Sequence, residues 1–68
     1  MTTRETLEKL PQNVREHIEL FRYNIKDAGT DKIAEIAKAR LAGYVIGLRD
    51  AGLITERERT ILFCYGTV

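Results

Sequence analysis

The stretch LAGYVIGL, residues 41–48, carries no charge in a chain of 68 residues of which 31% are charged. It is too short to cross a bilayer, which takes about 20 apolar residues. As a helix it is apolar on every side for two turns, and each side needs a cover. Stepping residues 31–51 around a helix at about 100° per residue gives the layout. Ile33, Ala37, Leu41, Tyr44, Leu48 and Ala51 form one face. Ile36, Gly43 and Gly47 flank it on one side, Ala34 and Val45 on the other. Asp31, Glu35, Lys38 and Arg49 lie opposite, where Ala42 and Ile46 break the polar surface. The apolar sector spans roughly 200°, against the ~100° stripe of an ordinary surface helix. Two companion helices cover two sides of such an element, and the third side asks for another chain.

The neighbouring segments supply the companions. Residues 12–28 place Val14, Ile18, Phe21, Ile25 and Ala28 at alternating spacings of four and three, a one-sided seam. Pro11 opens this helix, and Gly29 is expected to close it in the left-handed conformation of a C-terminal cap. Thr30 or Asp31 caps the long helix. Residues 3–10 form a possible short N-terminal helix capped by Thr3, with Leu7 and Leu10 on one face and a Glu5–Lys9 pair at i,i+4. Gly52 stops the long helix, with Leu53 folding back on Leu48 as in a Schellman ending. Thr55 and Glu58 then make a capping box for a last helix over 55–65, ended by Gly66. The fold class is all-α: a small bundle of three helices, about 12–28, 31–51 and 55–65, in one domain over 1–68.

A chain this short buries only about 60% of its unfolded surface, and folds of this size lean on a disulfide, a metal or a second subunit. A single cysteine, Cys64, makes no internal disulfide. One histidine, His17, with one cysteine falls short of a zinc site, which takes three or four protein ligands. By elimination the staple is oligomerisation, and a homodimer is expected.

LRDAGLITERE, residues 48–58, resembles the central motif of the short C-terminal domain family, called SHOCT. The resemblance implies a small helical hairpin that assists oligomerisation. It covers 11 of the 68 residues. The family continues with a Lys-rich helix where this chain reads RTILFCYGTV, and no functional residue carries over.

Chemistry-bearing residues are sparse. Cys64 and His17 are the only candidates for nucleophile and base. Cys64 sits in the apolar run ILFCY, where a buried structural cysteine is expected. His17 sits at the edge of the second helix's seam. There is no serine, and no phosphate loop or metal-ligand spacing. The expectation is a protein that is not an enzyme and takes no cofactor or metal.

Eleven basic and ten acidic residues give a net charge of +1. Their signs interleave as on solvated helix faces, without the basic patch of a nucleic-acid binder. The charged, amphipathic start MTTRETLEKL is unlike a signal peptide, and the lone thiol suits a reducing cytoplasm. The connection at 52–55 with TERERT behind it has the outline of a helix-turn-helix, whose readers would be Arg57 and Arg59. Glu56 and Glu58 alternate with them and repel phosphate.

Arg40 falls within the apolar sector of the long helix. Its head either reaches water along a groove edge or pairs with a carboxylate of this chain or a partner. Ala39, Gly43 and Gly47 recur every four residues beside it and let a second helix come close, either one of the chain's own or a partner's. The resulting expectation is a cytoplasmic homodimer that regulates or inhibits a protein partner. Its self-association or partner surface comprises Ala39, Arg40, Gly43, Ile46, Gly47, Ile61, Phe63 and Tyr65. The alternative is a dimeric DNA-binding regulator using the 55–60 helix start.

Overall fold

A computed structural model describes residues 2–68 as four helices, three of them opened by a threonine side-chain cap and the second by Pro11 without one. They are α1 (Thr3–Glu8), α2 (Gln12–Lys26), α3 (Asp31–Asp50) and α4 (Glu56–Thr67). No strand occurs among the described residues. The bundle measures 32 × 20 × 20 Å. Helix α2 packs on α3 and α4, α3 packs on α4, and α1 lies on α4.

The stop between α3 and α4 follows the sequence pattern closely. Gly52 takes φ 79°, a left-handed conformation open to glycine at little cost. Its N–H reaches the Arg49 carbonyl and the Leu53 N–H reaches the Leu48 carbonyl, each at 3.0 Å. These are the two bonds of a Schellman ending. Thr55 then accepts the Glu58 N–H at 3.1 Å while Glu58 accepts the Thr55 N–H at 2.8 Å, completing the capping box. Thr30 caps α3 through the Ile33 N–H.

Other boundaries differ. The cap of α1 is Thr2, not Thr3, with its hydroxyl accepting the Glu5 N–H at 3.2 Å. Helix α2 ends at Lys26, two residues short of expectation, and its C-cap is Asp27. Gly29 is not left-handed, because the only described residue with positive φ is Gly52. Gly66 does not end α4. The helix runs through it to Thr67, and Gly66 is buried against Leu41. The expected Glu5–Lys9 pair is replaced by Arg4–Glu8 at 3.0 Å, and Lys9 reaches across to Glu58 at 2.6 Å.

The core gathers Leu10, Val14, Ile18, Ile25, Leu41, Val45, Leu48, Ile54 and Leu62. The seam of α2 faces it as read from the sequence, with Phe21 packed at the margin. The buried line of α3 is Leu41, Val45 and Leu48, rotated toward the Val45 flank. Ile33 is 52% exposed and Ala51 is exposed, although projection puts both on the core face. Both α2 and α4 pack on α3, and its buried line falls between them at Leu41, Val45 and Leu48. Ile54 enters the core from the α3–α4 connection, outside any helical period. Helix α4 buries Glu58, Leu62 and Gly66 at spacings of four.

Candidate functional site

The rotation of α3 leaves a long open edge. Ile33, Ile36, Arg40, Gly43 and Gly47 are all exposed and recur at spacings of three, four, three and four. This is a second seam of heptad type, on the side of α3 away from the core. Ala39 and Ile46 run beside it, both exposed. Ile36 is 48% and Ile46 38% exposed. A Cβ added at Gly43 or Gly47 would meet nothing within 4 Å. None of the chain's own helices therefore uses the close-approach edge.

The edge has relief. Its N-terminal half projects as Ile33 and Ile36, and its C-terminal half recedes at Gly43 and Gly47. Beside the projecting half lies a shallow groove of about 500 Å³ between α2 and α3. Phe21, Asn24, Asp27, Ile33, Ile36 and Arg40 are among its lining residues. Arg40 is exposed on this groove, and no ion pair holds it among the described residues. The placement within this chain is thus the groove-edge one, with the guanidinium in water.

The α4 residues expected on the surface are partly spent on the chain itself. Phe63 and Tyr65 are half-buried and packed against the core. Ile61 is also half-buried. Tyr65 donates its hydroxyl to Glu19, which raises the phenol pKa above its ordinary value, helped by burial. Arg22 lies 4.7 Å from the Tyr65 ring centre and donates to the Tyr65 carbonyl at 3.2 Å. These contacts lock the end of α4 to α2.

At the start of α4, Arg59 and Arg49 both clasp Glu56, Arg59 through Nε at 2.8 Å and Arg49 at 2.5 Å. The two guanidiniums, Arg59 first, hold the Glu56 carboxyl at a pKa of about 2. Arg59 is therefore engaged, while Arg57 stands exposed. Among the described residues, Arg57 alone of the two expected readers makes no ion pair where a recognition helix would present them.

Cys64 is exposed, against the expectation of a buried thiol. Leu62 and Gly66 take the buried line of α4, and Cys64 lies about 200° round the helix from each. His17 is exposed and packs edge-on to Tyr44, with ring centres 5.6 Å apart and Nδ1 3.3 Å from the Tyr44 hydroxyl. Among the described residues, its hydrogen-bond partner is the Tyr44 hydroxyl, not a carboxylate or thiol. Among the described residues, no three His, Cys, Asp or Glu side chains gather as a metal site. No described helix is long and apolar enough to cross a membrane.

Comparison with protein-family models, curated proteins and solved structures gave no match.

Proposed function

We propose that the protein is a non-enzymatic interaction module of the cytoplasm, a homodimer that regulates or inhibits a partner protein. The observation that carries this reading is the open edge of α3. This edge leaves Ile33, Ile36 and Ile46 in solvent, and clustered exposed apolar side chains on a small chain mark an interaction site. The SHOCT-like hairpin at 48–58 agrees with a role in oligomerisation. The polar faces of α1 and α2 remain for a heterologous partner. The DNA-binding alternative loses ground because Arg59 is engaged by Glu56, and without a basic field non-specific DNA affinity is weak.

Sedimentation across a concentration series tests the reading. The expected result is a reversible dimer, weakened by Ile46→Glu and by Gly43→Leu. A monomer at all concentrations overturns it. Affinity capture of the tagged chain from its native cell, with mass spectrometry, then names the partner.

A further inference from the structure

We infer that the dimer forms by antiparallel pairing of α3 with α3 of a second copy, about a two-fold axis passing between Arg40 and Gly43. This rests on the homodimer reading above and adds to it the face, the direction and the register.

The open seam is complementary to itself when reversed. Antiparallel pairing of heptad seams sets each position of one kind against the other kind. In the register that centres the seam, Ile36 meets the partner's Gly47, Arg40 meets the partner's Gly43, and Ile33 meets the partner's Asp50. Ile36 of each copy thus fills the space over the partner's Gly47. No Cβ stands in the way, since the space over Gly43 and Gly47 is open. Ile46 falls beside the partner's Ala39, another small residue. A parallel pairing stacks Ile33 and Ile36 on their own copies and leaves two glycine layers empty.

Charge follows the same symmetry. Lys32 and Asp50 are both exposed and stand 18 residues apart, five full turns, so they share one side of α3. Antiparallel pairing brings each Lys32 beside the partner's Asp50, at both ends of the interface. Asp50 accepts from Arg49 through Oδ1 alone, which leaves Oδ2 for the lysine. Two elements are unfavourable: Ile33 meets a carboxylate, which turns aside to Lys32, and the two copies of Arg40 flank the axis. Each arginine lines its own α2–α3 groove together with Asp27, so the heads leave the axis along the grooves.

The contact is modest. A 20-residue helix is about 30 Å long, and with a width of ~10 Å the stripe falls below the ~800 Å² per partner of a standard interface. Dissociation constants in the micromolar range are expected, so the test runs to about 1 mM protein.

In the full chain carrying Cys64→Ser, a spin label at Ala51→Cys reports direction. Antiparallel pairing separates the two labels by about 30 Å along the axis, whereas parallel pairing brings them to ~10 Å. Lys32→Asp and Asp50→Lys are each expected to weaken the dimer about tenfold, and the double swap to restore it within about twofold. Both changes suit the α3 dipole, so unfolding does not mimic the loss. Gly47→Leu is expected to abolish the dimer while leaving the helical content of the monomer unchanged. A dimer with a short label distance, or one indifferent to Gly47→Leu, overturns this pairing and spares the homodimer reading. A chain monomeric at 1 mM overturns both.

Discussion

Gly66 lies directly on Leu41, so closely that a Cβ built on the glycine would fall well inside contact distance of Leu41 Cδ2. Both residues are buried, Leu41 completely. The absent side chain is what lets α4 close on α3, and the glycine is kept in spite of its helix cost of ~1 kcal/mol. Gly66→Ala is therefore expected to destabilise the fold by about 1–3 kcal/mol through overpacking, although alanine is the better helix former. Urea titration of Gly66→Ala, Leu41→Val and the double variant measures it. The double variant should recover part of the loss, because the smaller side chain makes room.

The carboxylate of Glu58 is tied twice, to the Thr55 N–H within α4 and to Lys9 beyond the end of α1. Its side chain is 5% exposed, that of Lys9 53%. Removing Lys9 strips the counter-charge from a buried carboxylate, so Lys9→Ala should cost more than removal of an exposed helical pair. About 1–2 kcal/mol is expected for Lys9→Ala, against less than ~0.5 kcal/mol for Arg4→Ala. Thr55→Ala should cost ~1 kcal/mol as a lost cap. Chemical denaturation of these variants with the Lys9→Ala/Glu58→Gln cycle isolates the pair, and the double variant should be less than additive.

These contacts mark where the sequence is legible. Features governed by local chemistry read directly: the Schellman stop at Gly52, the Thr55–Glu58 box and the Val14–Ile18–Ile25 seam each depend on residues within one or two turns. Features that depend on which neighbour arrives were not readable. Projection shows that α3 is apolar over a wide sector but not that its burial centres on Val45 instead of between Ile33 and Leu48. A glycine near a helix end reads as a cap, whereas Gly66 answers to Leu41, 25 residues away. Cys64 reads as buried from its apolar neighbours, yet the register of α4 turns it outward. Ile54 enters the core from a connection, where periodicity is silent. Of the surface expected from the sequence, Ala39, Arg40, Gly43, Ile46 and Gly47 are exposed on α3, Ile61 is half-buried, and Phe63 and Tyr65 pack on the chain's own core.

The glycines sort by conformation and space. Gly52→Ala places a Cβ in the left-handed region, where alanine costs roughly 1–2 kcal/mol. Gly43→Ala sits mid-helix on open surface and should stabilise the monomer by about 0.5–1 kcal/mol. Thermal melts in dilute solution check the two signs. Melting temperatures should move in opposite directions, by roughly 4–8 °C per kcal/mol.

Exposure of Cys64 gives a direct chemical readout. The native protein should react with a thiol reagent at a rate within about threefold of the denatured chain, because no opening step precedes the reaction. A buried thiol would wait on unfolding and react orders of magnitude more slowly. Timing the reaction with and without urea decides between them.

Acid should destabilise the fold in part through two carboxylates, the exposed Glu56 contributing less than the buried Glu58. Glu56 is held at about 2 by Arg59 and Arg49, and Glu58 is lowered by Lys9 and the Thr55 N–H. An unfolded glutamate titrates near ~4.3. Just below that pH the unfolded chain binds protons that the folded chain refuses, so acidification favours unfolding. The stabilisation from both groups is complete above about pH 5 and is lost as pH falls toward the folded values. At the alkaline end the sign reverses for Tyr65, whose pKa is raised by its bond to Glu19. Its contribution is whole below the ordinary phenol value of ~10 and disappears as pH climbs through the raised one. Urea midpoints at pH 7, 5, 4 and 3 should fall progressively below pH 5, and the fall should be shallower in Glu58→Gln. An equal slope in that variant would remove Glu58 from the acid transition.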